Sequence, residues 1–356
     1  MGALTVFGLS VEDAVQKYGD VERNLDVVEL WSGVGSVATA AQEAGFAEQP
    51  FDTSRVPGLT DSEGPRVTEN ILLESGFLRA LKLTLRLRVA GLLWMAPVCS
   101  SWIFLAFSHT KRHKHDQYTG DLRRPNVRAG NDMARMAIFL YTVAFVRGVH
   151  PVLENPPSSV LFLFGPVVTG LAQIASKHTA VAPHCAFSGG PRGSRFAKKF
   201  KFVSTSVWIC QLARQCRCGG RGHTSLTSIR IKDGIHRVDG CRDALKASAA
   251  YPRALGRAII KAWSSGKNID AALQEPIAGP MSQAAARSKV QGPRSKTGAR
   301  SKVQGPRSKI QGCQYEEVLH NGFHCQALLD DPGPRGRWHG GGPAHLLFKE
   351  LVEAKS

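Results

Sequence analysis

Between Leu25 and Asp52 the chain changes character four times, and this stretch restricts the fold more than any other. Leu25–Leu30 is a short apolar run with a polar break, the pattern of a buried strand. Ser32-Gly33-Val34-Gly35 is a glycine turn. Ser36–Ala44 is alanine-rich and helix-favouring, with Gly45 at the expected C-cap. Phe46–Phe51 reads as a second strand ending at Asp52. Strand, glycine turn, helix, strand and acid, in that order, open a parallel α/β fold. Glycines at such a turn let a ligand approach the backbone closely, and the helix N-terminus favours negative charge. Asp52 lies 19 residues after Gly33, where a carboxylate grips ribose hydroxyls in folds of this kind. A nucleoside-containing cofactor is therefore expected, in preference to a purely structural turn. No third glycine follows, so the dinucleotide fingerprint is absent.

The α/β pattern continues downstream. Val89–Met95 is a strand-like run leading to Ala96-Pro97-Val98-Cys99. Ser108–Asn126 is polar and basic, with the composition of a loop, and Asp132–Val146 reads as a helix. His150–Leu153 is a further strand, stopped by Glu154-Asn155-Pro156-Pro157, and Tyr251–Trp263 reads as a helix with Pro252 in its first turn. The expected organisation is a lead-in over residues 1–19 and an α/β domain over 20–265, with a Cys-, Arg- and Gly-rich subregion at 185–245. A low-complexity basic linker follows at 276–312, then a terminal segment, 313–356, to which no fold is assigned. Within the linker, Arg287–Lys296 recurs at Arg300–Lys309, a period of thirteen. Two copies without apolar periodicity cannot bury a core, so this segment is expected to be a disordered basic tether.

Charge narrows the partners. The 46 Lys and Arg against 28 Asp and Glu give a net charge of +18, and removing residues 281–312 still leaves about +10. Such a chain tends to meet polyanions, nucleic acid above all. A 43% apolar, 21% charged composition excludes wholesale disorder, and eight cysteines in 356 residues do not make a secreted disulfide framework. Met1–Ser10 lacks a signal peptide's basic start, and the longest uncharged window, Asn155–Ser176, is broken by prolines, so no membrane partner is expected. The expectation is an intracellular protein, with the basic repeats the one pointer to the nucleus.

Glu29-Leu30-Trp31-Ser32-Gly33-Val34-Gly35, with Glu43-Ala44-Gly45-Phe46 after it, resembles the S-adenosyl-L-methionine loop of the cytosine carbon-5 methyltransferases. Those enzymes carry Asp-Leu-Phe-Ser-Gly-x-Gly-Gly, a helix and Ala-Gly-Phe. Ala96-Pro97-Val98-Cys99 stands where the family has Gly-Pro-Pro-Cys, and Glu154-Asn155-Pro156 where it has Glu-Asn-Val. Arg192-Gly193-Ser194-Arg195 falls where the family has a Gln-x-Arg-x-Arg-like element. The four landmarks keep the family's order across residues 26–201. The resemblance implies a Rossmann-like methyltransferase fold that binds S-adenosylmethionine through Glu29, Trp31, Ser32, Gly33, Gly35, Asp52 and Pro97. It implies catalysis by Cys99, Glu154, Arg192 and Arg195, and nucleic acid, DNA before RNA, as substrate. The chain departs from the family at Val98, at Ser100-Ser101-Trp102 after the cysteine, and in the short interval between Lys201 and Tyr251, where the family places a larger target-recognition region.

The residue types suit that chemistry. Carbon 5 of cytosine is not nucleophilic until something adds to carbon 6, and a thiolate such as that of Cys99 adds best near neutral pH. A protonated carboxyl, supplied by Glu154 if burial raises its pKa, would stabilise the charge developing at ring nitrogen 3. Lys198, Lys199 and Lys201 form a run without acids, suited to phosphates of a strand whose target base is flipped out. Asn155-Pro156-Pro157 also resembles the Asn-Pro-Pro-aromatic motif of amino-group methyltransferases, though Ser158 is not aromatic. Catalytic decay to a nucleic-acid-binding protein is a further alternative. Cys216, Cys218 and His223, with Cys210 or Cys241, invite a zinc reading. The Cys-x-Cys pair is too tight for an ordinary knuckle, so loop cysteines and no bound metal are expected. Removing residues 276–356 should weaken nonspecific DNA binding and flatten its dependence on salt in filter-binding titrations. Unchanged affinity would move the phosphate contacts to the α/β domain.

Overall fold

The computed structural model describes residues 4–52, 69–174, 176–188, 195–218, 222–232 and 235–273. The repeats, the terminal segment and Arg192 lie outside the described residues. The N-terminus makes a two-residue ladder, β1 (Thr5–Val6) with β2 (Leu9–Ser10), and then α1 (Val11–Tyr18). Ser10 and Asp13 form a capping box that starts α1, and Val11 and Ala14 are buried in the main core.

Six strands form the central sheet: β3 (Leu25–Leu30), β4 (Glu48–Phe51), β5 (Leu87–Met95), β6 (His150–Asn155), β7 (His178–Pro183) and β8 (Lys199–Ser204). Their order is β4-β3-β5-β6-β8-β7. The first four are parallel, whereas β8 runs antiparallel to both β6 and β7. The fold is thus α/β with a mostly parallel sheet, as the opening strand–turn–helix–strand pattern implies. β3, β6 and the second half of β5 are almost wholly buried because both faces of the sheet are covered there. Along β5 the alternation is direct: Leu93 and Met95 enter one apolar cluster, while Leu92 and Trp94 enter the other.

Helices α3 (Glu74–Leu85), α5 (Pro125–Val146) and α6 (Gly165–Ala172) join α1 on the first face, through Phe77, Leu81, Phe139, Leu140 and Val167. The other face is covered by α2 (Ser36–Glu43), α8 (Arg253–Leu273) and the 3₁₀ segment Val207–Leu212, through Val37, Ala41, Ile259, Trp263 and Trp208. The short helices α4 (Phe107–Thr110) and α7 (Arg242–Ala247) lie in connections, and β9 (Thr227–Lys232) pairs with β10 (Ile235–Gly240) as a separate ribbon. The sequence pattern starts α5 at Asp132, but the helix begins seven residues earlier at Pro125. Proline is tolerated in a first turn because its missing N–H has no intrahelical partner there. No helix among the described residues is long and apolar enough to cross a membrane.

From β3 the chain passes to β4 on one side and later to β5 on the other. A reversal of this kind opens a crevice at the carboxyl ends of β3 and β5, where open α/β sheets bind ligands. The approach of α8 to α2 sets one wall. A Cβ on Gly256 would stand 2.1 Å from the carbonyl oxygen of Ser36, backbone that cannot swing aside. Gly256→Ala should therefore cost about 1–3 kcal/mol in urea denaturation. Lys261→Ala, at an exposed position of the same helix, should stay within about 0.5 kcal/mol of wild type. Equal effects would mean that α8 does not lean on α2 at this point.

Candidate functional site

The turn after β3 is built from left-handed backbone, with φ of 56° at Trp31, 54° at Gly33 and 67° at Gly35. Among the described residues, nothing beyond Gly33 and its chain neighbours lies within 4 Å of the point a Gly33 Cβ would occupy, so a ligand can reach the backbone there. Asp52, at the carboxyl end of β4, accepts a hydrogen bond from the Gly33 amide at 2.9 Å. Its own amide donates to Glu69 at 3.0 Å, and Glu69 pairs with Arg79 at 2.8 Å. Ser32 donates its amide to Phe51 and accepts the Gly35 amide at 2.8 Å. Asp52 and β4 thus hold the turn in shape.

Glu29 points elsewhere. The N-cap of α2 is Gly35, which has no side chain to satisfy the helix's first amides. The fully buried Glu29 carboxylate fills that role, accepting from the Ala38 amide at 2.8 Å and from Val37. Burial pushes its pKa up to about 8, and Glu48 and Asp52 add to the rise against the helix amides. The amides that attract an anion at a helix start are therefore already taken by a group of this chain.

One strand over, Pro97 and Cys99 follow β5, and Glu154 and Asn155 end β6. The register sets Met95 opposite Leu153, so these residues leave the sheet side by side. Asn155 donates its side-chain amide to the Pro97 carbonyl at 2.9 Å, tying the two strand ends together. Cys99 is half-buried, and its carbonyl accepts the Trp102 amide at 2.9 Å. Glu154 is buried, and burial raises its pKa against the pull of Lys198 and of a hydrogen bond from Tyr251. The Tyr251 hydroxyl donates to Oε2, whereas Oε1 of Glu154 and Oδ1 of Asn155 are buried without a hydrogen-bond partner. Tyr251 is held edge-on against Trp94 and Phe200. Its backbone carbonyl accepts the Ser36 hydroxyl at 2.9 Å, which links this acid to the start of α2.

The basic run divides. Lys199 is exposed on β8, but Lys198 donates to the Ser248 carbonyl at 2.8 Å. Lys201 lies 4.5 Å from the Phe162 ring centre, and burial lowers its pKa. Arg195 is half-buried, and its carbonyl accepts the Thr224 amide at 2.7 Å. The segment after Cys99 contains a group that composition hides. Arg112 is 1% exposed and stacks 3.5 Å from the Trp102 ring centre. It donates to the carbonyls of Ser101 and Tyr118 and to Asn131 at 2.6–2.7 Å. Neither Tyr251 nor Arg112 stands in any motif; their signal is confined to the fold. Cys216, Cys218 and His223 do converge, but with Cys185, and neither Cys210 nor Cys241 belongs to the group.

No family model matches the chain, and no curated protein matches it. Among solved structures it is similar to a methyltransferase of Entamoeba histolytica, EhMeth. The identity is 11%, over 57% of this chain and 58% of that one, with a TM-score of 0.30. The chain thus spans little more than half of that protein's length, and so loose a superposition carries no weight for the chemistry.

The raised pKa of Glu29 has a measurable sign. Unfolded, this carboxyl ionises near 4.5; folded, near 8. Its contribution is fully present below about pH 4.5 and is lost as the pH rises toward about 8. Wild type should therefore lose stability relative to Glu29→Gln across that window, by up to ~1.4 kcal/mol per pH unit. Urea midpoints measured at intervals across the window check this, and parallel curves would show that Glu29 ionises normally in the fold.

Proposed function

We propose that this chain is an S-adenosylmethionine-dependent methyltransferase acting on carbon 5 of cytosine in nucleic acid, DNA before RNA. The observation that carries the proposal is Glu154. It is a buried carboxyl whose pKa is raised by burial, with one oxygen fixed by Tyr251 and the other without a hydrogen-bond partner. It ends the strand beside the one that leads to Cys99.

The turn fits the cofactor on two counts. The backbone at Gly33 is open to close approach beside a carboxylate at the end of β4, the arrangement that suits a nucleoside. The first amides of α2 are already capped by Glu29, which disfavours a pyrophosphate and with it a dinucleotide. Ser32, Gly33, Gly35 and Asp52 are the residues that would hold S-adenosylmethionine, with Trp31 and Pro97 flanking. When bound, it supplies an electrophilic methyl group.

The chain's own residues do the rest. Cys99, as thiolate, adds to carbon 6 of the flipped base and forms a carbon–sulfur bond. The ring electrons move toward nitrogen 3, where Glu154 delivers its proton from Oε1; Tyr251 keeps that proton on Oε1 by occupying Oε2. Carbon 5 is thereby made electron-rich and would accept the methyl group, the bound cofactor's sulfonium leaving as the demethylated thioether. Loss of the carbon 5 proton to a base then expels the Cys99 thiolate, while the proton at nitrogen 3 returns to Glu154. Arg195 and Lys199 supply positive charge near the substrate's phosphates.

Asn155 supports a second reading, because a buried acceptor without a partner also suits a target amino group. One experiment separates them. The chain is incubated with S-adenosylmethionine and an oligonucleotide containing 5-fluorocytosine, whose fluorine cannot leave as a proton does. A denaturant-resistant adduct is expected, absent in Cys99→Ser and slowed roughly 10²–10⁴-fold in Glu154→Gln, with Tyr251→Phe between. Methyl transfer that survives Cys99→Ser would replace the carbon-5 mechanism with the amino-group one. Nucleic-acid binding without adduct or transfer would leave a binding protein derived from a methyltransferase.

A further inference from the structure

Outside the strand-end site, the described residues bring one other group of reactive side chains together. The sulfurs of Cys185, Cys216 and Cys218 and a ring nitrogen of His223 lie within 4.8 Å of one another. We propose that these four residues bind one zinc ion as a closed structural site, independently of the methyl-transfer reading.

The fold accounts for the convergence. After the 3₁₀ segment the chain runs along the edge strand of the sheet, where the Arg214 amide donates to the Val181 carbonyl of β7 at 3.2 Å. Two residues further, outside any helix or strand, come Cys216 and Cys218. Cys185 sits in the turn that follows β7, and the adjacent His184 amide donates to Lys198 at 2.8 Å. The chain just before Lys198 receives the next segment. Phe196 bridges Thr224, and the Thr224 amide donates to Arg195 at 2.7 Å. His223 is thereby carried to the same place. Cys185 thus meets Cys216, 31 residues further along the chain, together with the nearby Cys218 and His223, which explains why spacing along the chain did not single out Cys185.

The distances suit a tetrahedral ion. Zinc bonds of about 2.3 Å to sulfur and 2.0–2.1 Å to nitrogen put neighbouring ligand atoms at roughly 3.6–3.8 Å. Cys185 Sγ stands 3.5 Å from Cys216 Sγ, and Cys216 Sγ stands 3.7 Å from His223 Nε2. The sulfur pair is far beyond a disulfide's length of about 2.05 Å, and a disulfide would leave the third thiol and the imidazole without a role. Three thiolates and an imidazole form a soft donor set that favours zinc over magnesium or calcium. On binding, each thiol releases its proton and the histidine binds as the neutral imidazole. Four protein ligands leave no open position, so the site ties the end of β7 to the segment entering the β9–β10 ribbon.

The full-length chain, purified under reducing conditions from zinc-replete medium, is expected to carry one zinc per chain by elemental analysis. Replacement with Co²⁺ should give the intense visible absorption of a tetrahedral thiolate site. Cys218→Ser and His223→Ala should each lose the bound equivalent, while Cys241→Ser keeps it. Should those variants fail to fold, the wild-type chain still decides. Chelation should raise alkylation of Cys185, Cys216 and Cys218 together by roughly tenfold or more, with Cys241 unchanged. Absence of tetrahedral Co²⁺ absorption, full retention of zinc by folded Cys218→Ser and His223→Ala, alkylation rates indifferent to chelation, or a Cys185–Cys216 disulfide in the reduced preparation would each overturn the proposal.

Discussion

Burial of the central strands on both faces governs where polar chemistry can stand in this protein. β3, β5 and β6 run between two apolar clusters, so a polar side chain within them needs a partner inside the fold or a place at the strand's end. Glu29 takes the first course and is consumed in capping α2. Glu154 and Asn155 take the second, with one polar atom of each bound within the protein and the other without a partner. Because the strands are parallel, these ends and the residues that follow them gather along one edge, around the reversal between β3 and β5.

A second constraint acts just beyond that edge. Arg112 is a buried cation whose hydrogen-bond partners are carbonyls, a hydroxyl and an amide side chain rather than a carboxylate. Burial lowers its pKa to about 10, which leaves it charged at neutral pH. Such a group is tolerated only when its donors are met, and the rigid guanidinium fork meets several acceptors at once. The Ser101 carbonyl and hydroxyl and the Trp102 ring are among its contacts, so the turn that begins at Cys99 is fixed from behind. Gly130 allows this packing, since a Cβ there would stand 2.3 Å from the Ser101 hydroxyl.

Local pattern carried much of the fold. Leu25–Leu30 is a strand with the bounds its apolar run implies, and the glycine turn, the alanine-rich helix and the strand ending before Asp52 follow in order. Placement of Cys99 and Glu154 at the ends of two strands was also legible, because strands stop where turn residues begin, whereas the pairing that makes those strands neighbours was not. Contacts made across the sequence were not. Tyr251 reaches Glu154 from 97 residues away, and Cys185 meets Cys216 across 31. Ser108–Asn126 reads as solvated loop because its composition is basic, yet one of those charges is buried and organises the rest. Composition reports the average environment of a segment and passes over the single residue that escapes it.

The position of β8 bears on how the protein is made. β8 lies between β6 and β7 although it follows both in the chain. During synthesis β6 therefore waits with one side unpaired until Ser204 has emerged, and β7 has no place in the sheet before then. Roughly fifty residues separate Asn155 from that point, which at about 5–20 residues per second is a delay of roughly 3–10 s. Over those seconds the nascent chain displays a bare apolar strand, open to pairing with a neighbour on the same polysome. Ribosome pausing between Asn155 and Lys199 would prolong this exposure, so the codons of that interval bear on the yield of soluble protein while leaving its amino-acid sequence unchanged.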